Sequence, residues 1–426
     1  MSKYTQMWLD LGLDIEAHDA LLYILGNAYQ DIFLSQKNRP EGMKYFDFVM
    51  SEVHGLRIRE LMDAKSQGRK VIGSYCVFVP EELILAVDGV SVGLCAGAEF
   101  NFEGAEEILP RNICPLIKSA FGFKKGLVCP YFEASDIVVG ENTCDGKKKS
   151  YEALSSMVKD IYIIDLPQMK SDSGKKLLRD EYKKFIKKLE DTNGKEITVE
   201  TLKNGIEVVN EKRKAVKRLA DLRKADPSPI SGLDALLVNQ IFFYDDPMRF
   251  TASVNSLCDE LEERIKKREG VSPKGTTRVL MSGCPMAVPN WKVPFIVETS
   301  GAVIVGEESC VGERGAQWLT DDNGKTVDEL LDSITERYFK IDCAVFTPNP
   351  FRIGHVKDMY KKYNAGGVIH YSLQFCHPYL VESGPFETVL EESGIPVLRL
   401  ETDYSQEDAG QLKTRIEAFR ERIEAK

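Results

Sequence analysis

At 426 residues the chain is longer than one hydrophobic core usually serves, and at roughly 150 residues per domain it divides into two or three units. Apolar residues at 43% and charged residues at 29% exclude a wholly disordered chain, a collagen-like repeat and a coiled-coil rod. With 56 basic against 66 acidic residues the net charge is −10, which gives no global pull toward nucleic acid or anionic lipid, and no apolar run approaches the roughly 18 residues of a membrane span.

Residues 1–69 have helical spacing, with Leu21, Leu22, Ile24 and Leu25, then Phe46, Phe48, Val49, Val53, Leu56 and Leu61, and form a helical N-terminal segment. At Lys70 the pattern changes. Val71 to Cys76 reads as a strand, and Pro80 to Ala86 as a helix with Pro in its first turn. Further strands are expected at Ser91 to Leu94, Asp136 to Val139 and Ile161 to Asp165, separated by helix-sized stretches, which points to a mostly parallel sheet over 70–170.

Residues 171–273 are charge-rich and helical, with a turn at Asn193-Gly194 and a break at Asp226-Pro227-Ser228-Pro229, where Ser228 is expected to cap a helix starting at Pro229. Both charge signs are mixed here, so the stretch reads as a solvated helical linker. From 274 to 426 the first pattern returns. Arg278 to Cys284 repeats Lys70 to Cys76 as basic, Val, aliphatic, any residue, Ser, any residue, Cys, and strands follow at Gly301 to Val305, Gly367 to Tyr371 and Ile395 to Leu400. The expected fold is α/β, with two tandem Rossmann-like (flavodoxin-like) parallel-sheet domains, a helical N-terminal segment and a helical linking region.

The ten cysteines are the main chemical clue. The opening MSKYTQMWLDLGLDIEAHD has no basic region followed by an apolar one, so the expected compartment is the reducing cytoplasm, where thiols serve metal or redox chemistry more often than disulfides. No CxxC occurs, which excludes zinc ribbons and thioredoxin-like motifs, and any cluster must be assembled from distant loops. Ligands of an open parallel sheet bind beyond the carboxyl ends of its strands. Cys76, Cys144, Cys310 and Cys376 each follow such a strand, while Cys114 and Cys129 lie in a loop-rich stretch, each directly before Pro. For any one cysteine the alternative is a small buried hydrophobe. Cys258, at core spacing in a helical run, fits that alternative, while Cys95 and Cys343 lie in or beside apolar strand segments. Six loop thiols with only five scattered histidines favour iron-sulfur ligation over a His-rich metal site.

The segments SYCVFVPEELILA, LPRNICPLIKSAFGF, CPYFEASDIVVGENTCDGKKKSYE, SGCPMAVPNWKVPF, ETSGAVIVGEESCVGERG, QFCHPY and GIPVLRLETDY give the chain, over about residues 40–420, a resemblance to the 2-hydroxyacyl-CoA dehydratase and benzoyl-CoA reductase superfamily. It looks most like the double-cubane cluster proteins within it. The resemblance implies an iron-sulfur cluster held between two α/β domains, a dimer, and a separate ATP-hydrolysing iron-sulfur reductase that supplies low-potential electrons. The expected ligands are Cys76, Cys114, Cys129, Cys144, Cys310 and Cys376, three for each half of an [8Fe-9S] double cubane, with Cys284 or Cys343 as replacements for Cys129 or Cys310.

The function expected on this basis is an oxygen-sensitive iron-sulfur oxidoreductase, a homodimer that reduces a small substrate, with no nucleic acid or membrane as partner. One alternative is the single-[4Fe-4S] subunit of a 2-hydroxyacyl-CoA dehydratase, a lyase, or of a benzoyl-CoA reductase. Another is an electron carrier or cluster scaffold. Glu81, Glu133, Glu141, Glu308 and His377 are candidate proton donors, none singled out, and each is also readable as a surface or helix-start charge. Lys147, Lys148 and Lys149 read as a solvated helix start.

Overall fold

The computed structural model describes residues 2–425, and these form two four-stranded parallel sheets joined by helices. The first contains β1 (Val71–Ser74), β2 (Val90–Gly93), β3 (Ile137–Glu141) and β4 (Ile161–Ile164), in the order β2-β1-β3-β4. The second contains β5 (Thr277–Gly283), β6 (Ala302–Glu308), β7 (Gly367–Leu373) and β8 (Val397–Thr402), in the order β6-β5-β7-β8. Chain order and spatial order therefore match strand for strand between the halves, as the repeated sequence pattern implies. All residues of β5, β6 and β7 are buried, which is why they read as apolar runs rather than as alternating ones.

The N-terminal segment is helical, from Thr5–Asp10 and Ile15–Tyr29 to Met43–Ser51 and Leu56–Ser66. The linking region holds Asp172–Asn193, Val199–Leu222, Gly232–Ile241 and Pro247–Lys266. Each of these four helices begins with a side-chain cap, from Ser171, Thr198, Ser231 and Asp246 respectively. The first ends on Gly194 at φ +65°, the left-handed stop that Asn193-Gly194 announces.

One expectation fails here. The helix after the Pro-rich break starts at Gly232, capped by Ser231, and the Ser228 hydroxyl instead donates to the Ile230 carbonyl, 2.8 Å away. Two serines three residues apart compete for the cap, and only Ser231 finds a free N–H three residues on, that of Asp234 at 3.0 Å. The linker is also more buried than a solvated surface would be, with Val199–Leu222 packed on the helices Glu81–Ala86 and Pro247–Lys266. The long helix Val199–Leu222 buries Lys212, Arg213, Ala215 and Val216 along one face.

Candidate iron-sulfur centre

Six cysteines lie within three residues of the carboxyl end of a strand: Cys76 after β1, Cys95 after β2, Cys144 after β3, Cys284 after β5, Cys310 after β6 and Cys376 after β7. Because the sheets share one strand order, these form equivalent pairs, Cys76 with Cys284, Cys95 with Cys310 and Cys144 with Cys376. A fourth pair completes the set. Cys114 precedes the helix Pro115–Lys125 in the β2-to-β3 connection, and Cys343 precedes Pro350–Lys362 in the β6-to-β7 connection. Eight of the ten cysteines thus occupy four duplicated positions.

The thiols meet across the two halves. Burial pushes Cys76 up to about 12, eased by Lys147 and raised further by Cys310 and Cys343, so one thiol of the first half faces two of the second. Cys114 is raised well above the ordinary thiol range, first by a hydrogen bond with Cys376 and then by burial. Cys376 in turn lies against both Cys114 and Cys284, again one thiol of the first half among two of the second. Cys144 stands between the groups: burial raises it most, and both Cys114 and Cys343 act on it. Burial pushes Cys95 up to about 11, with Cys310 adding to the effect, while the Cys95 thiol donates to the Tyr75 carbonyl at 2.9 Å.

Cys129, expected as a ligand, is placed elsewhere. Burial pushes it up to about 11, opposed by the backbone N–H groups of Phe132 and Tyr131, and its charged neighbours are Glu133 and Lys124. It lies near Tyr75 and Tyr244, whose hydroxyls burial raises most, with Cys95 and Cys129 adding to the effect. The structure does not bring it into either group of thiols. Cys258 is fully buried in the helix Pro247–Lys266, as its spacing implies. Cys343 lies on no strand, because Ile341 to Phe346 is an irregular segment leading toward the Pro350–Lys362 helix.

Three features favour negative charge at these sulfurs. Cys114, Cys144 and Cys376 are N-caps of helices of 11, 10 and 16 residues, where the positive end of the helix dipole favours a thiolate. Lys147 turns inward to pair with the fully buried Glu141 and sits 6.0 Å from the Tyr75 ring, whereas Lys148 and Lys149 are exposed. The solvated helix start holds for the latter two only. Arg314, 1% exposed, donates from Nη1 toward the Cys310 sulfur at 3.6 Å and from Nε to Glu308 at 2.6 Å.

The candidate proton donors are mostly committed to ion pairs. Glu81 accepts from Lys212, Glu133 pairs with Lys124, Glu141 with Lys147, and Glu308 with Arg314 and Arg352. Desolvation works against ionised Glu308, yet Arg314, Arg352 and the Ser282 hydroxyl hold its carboxyl below the usual range. His377 is exposed at the first turn of the helix His377–Glu392.

Among the described residues no three His, Cys, Asp or Glu side chains are gathered as a single metal ion requires. The donors that do converge are thiols alone, spread over two groups, which suits a multi-iron group with its own bridging sulfides better than one ion. No described helix is long and apolar enough to cross a membrane.

Comparison with known proteins gives the family of the chain. The family model described as 2-hydroxyglutaryl-CoA dehydratase, D-component, matches residues 76–423. The chain is 36% identical to the protein YjiM of Escherichia coli (strain K12), over 88% of this chain and 96% of that one. It is 27% identical to the (R)-phenyllactyl-CoA dehydratase beta subunit of Clostridium sporogenes, over 89% and 99%, and 22% identical to one of the subunits of the benzoyl-CoA reductase of Thauera aromatica, over 81% and 88%. The matched region begins at Cys76, the first of the eight duplicated thiols, and the chain belongs to the 2-hydroxyglutaryl-CoA dehydratase D-component family of dehydratase and reductase subunits.

Proposed function

We propose that the chain is an iron-sulfur oxidoreductase component that holds a double-cubane [8Fe-9S] cluster between its two halves. It accepts low-potential electrons from an ATP-hydrolysing iron-sulfur reductase and reduces a small substrate. The observation that carries this reading is the duplication of four cysteine positions within one chain, Cys76, Cys310, Cys343 and Cys144 matching Cys284, Cys95, Cys114 and Cys376. Three thiolates from each four supply the six that two cubanes need. Cys129 and Cys258 are left out of the set.

Iron-sulfur clusters supply one-electron storage whose potential follows net charge, hydrogen bonds to sulfur and exposure to water. The residues of this chain set those conditions. Arg314 and Lys147 offset thiolate charge, the helix N-termini at Cys114, Cys144 and Cys376 add to it, and burial of Tyr75, Tyr371 and Tyr379 around the thiols excludes water. Metal binding releases the thiol protons that burial otherwise retains. Self-association as a homodimer accompanies this reading, since both cluster halves are drawn from one chain.

A second reading is favoured by the relatives named as dehydratase beta subunits and as part of a benzoyl-CoA reductase: a single-[4Fe-4S] subunit working beside a different partner chain on an acyl-CoA. Iron and acid-labile sulfide per chain, measured on protein purified without oxygen, separate the two. About eight irons with about nine sulfides support the double cubane, and about four of each overturn it in favour of the single cubane. Cluster-bound protein that passes its iron stoichiometrically to an acceptor and turns over no substrate would make it a scaffold.

A further inference from the structure

The chain repeats its cysteines but not what surrounds them. The thiols meet as Cys76, Cys310 and Cys343 in one group and as Cys114, Cys284 and Cys376 in the other. Among the described residues two side chains other than thiols bring an N–H or O–H to a sulfur, Arg314 to Cys310 at 3.6 Å and Tyr379 to Cys343 at 4.0 Å. Both serve the first group. In the second group the donors are backbone N–H groups, that of Leu373 reaching the Cys284 sulfur at 3.4 Å and that of Tyr379 reaching Cys376. The cation is not duplicated with the thiols: four residues after Cys310 stands the buried Arg314, and four after its counterpart Cys95 stands the exposed Glu99.

Tyr379 touches both groups. It is the third residue of the helix His377–Glu392 that Cys376 caps, so its N–H turns back to the Cys376 sulfur. Its side chain reaches across to Cys343 instead, in a residue only 5% exposed. Lys147 holds the equivalent place after Cys144, with its N–H 3.5 Å from that sulfur. One helix start is thus used twice, once to carry a cation and once a hydroxyl.

The direction of the hydroxyl is fixed by its other partner. The Tyr379 oxygen accepts from Arg314 Nη1, and a guanidinium offers no acceptor in return. The single hydroxyl proton is therefore left for the Cys343 sulfur. The guanidinium carbons of Arg314 and Arg352, 5.6 and 5.1 Å from the centre of the ring, hold the ring in this place.

We infer that the two groups of thiols hold halves of unequal reduction potential, with Tyr379 and Arg314 as positioning residues that make the half at Cys310 and Cys343 the more easily reduced. This rests on the function proposed above and deepens it. Hydrogen bonds and positive charge at sulfur favour the more negative, reduced state. One electron from the iron-sulfur reductase comes to rest on that side. Tyr379 donates a hydrogen bond and keeps its proton, so no other bond forms or breaks.

A redox titration of the anaerobically purified protein, followed by electron paramagnetic resonance with iron counted in the same samples, tests this. Tyr379→Phe removes only the hydroxyl. It is expected to lower the highest one-electron couple at least tenfold in its equilibrium constant, or about 59 mV, at unchanged iron content and with any lower couple left in place. Arg314→Lys is expected to lower the same couple, and decides the matter if Tyr379→Phe misfolds. A highest couple left in place, or all couples moved equally, would overturn the inference. About four irons per chain would instead end the double-cubane reading. The one remaining couple would then support the role of the hydroxyl by falling in Tyr379→Phe and overturn it by staying.

Discussion

The Arg314 guanidinium bridges Glu308 and Cys310, with Nε 2.6 Å from the carboxylate and Nη1 3.6 Å from the sulfur. It also donates to the Tyr379 hydroxyl, which is 4.0 Å from the Cys343 sulfur, so one cation touches the surroundings of two thiols. Glu308 and Arg314 are both 1% exposed. Replacing Arg314 by Met leaves Glu308 with Arg352 and Ser282 alone. Unfolding by denaturant is expected to show a loss of about 3–5 kcal/mol, the usual result of breaking a buried ion pair from one side. Arg314→Lys, which keeps the charge but not the fork, is expected to lose less stability while still shifting the reduction potential of any cluster bound at Cys310.

The thiol assignment predicts a sharp contrast among single substitutions. Cys284→Ser and Cys343→Ser are expected to lose bound iron, whereas Cys129→Ser and Cys258→Ser are expected to retain it within error. Iron per chain after anaerobic reconstitution measures this. Full iron in Cys343→Ser together with loss in Cys129→Ser would restore Cys129 to the ligand set and remove the duplicated pattern as its basis.

Gly283 ends β5 at φ +127°, and a Cβ there would fall on the Tyr371 carbonyl oxygen of the neighbouring strand. The same carbonyl accepts from the Cys284 N–H at 3.0 Å, so the close approach fixes the thiol that follows. Gly283→Ala is expected to lower stability by about 1–3 kcal/mol from backbone conformation alone, with the overlap adding to it, and to reduce iron content together with stability. Thermal unfolding and iron analysis of one preparation check both parts.

Acid is expected to act on the N-terminal helices through two histidines. His18 is fully buried, with Nε2 3.0 Å from Nδ1 of His54. Burial pushes His18 down to about 4 against a weak pull from Asp19, and pushes His54 down to about 3 with His18 adding to the effect. Both groups therefore bind protons more readily in the unfolded chain. The stability they contribute is complete above their unfolded value of 6.5 and falls as the pH drops from there toward 4 and 3. His18→Gln is expected to flatten that slope. A slope between pH 6.5 and 4 unchanged by the substitution would assign the acid sensitivity to other groups.

Much of this fold is legible in the sequence because parallel strands buried on both faces, as β3, β5, β6 and β7 are, become apolar runs, and all eight strands fall on the expected segments, including the part-buried β4 and β8. The recurrence of strand, Ser and Cys at β1 and β5 likewise announces the duplication. What local pattern does not carry is which thiols meet. Cys114-Pro115 and Cys129-Pro130 are alike in sequence, and each Cys caps a helix. Between them, however, runs the 11-residue helix Pro115–Lys125, roughly 16 Å long, so the two thiols sit beyond its opposite ends. Cys343 is hidden for the converse reason: its apolar neighbours Ile341 and Phe346 imitate a strand while serving as plugs for an irregular loop. The inward turn of Lys147 follows from Glu141, a buried carboxylate whose need for a cation no local pattern records.

The matched order of the two sheets has a consequence for assembly. Each group of converging thiols draws on both halves of one polypeptide, with the linking helices as a fixed tether between them. Bringing the donors together is thus an intramolecular event, governed by an effective concentration rather than by how much protein is present. The thiol site itself is therefore independent of dilution, and association with a second copy or with a reductase is freed from the task of building the centre.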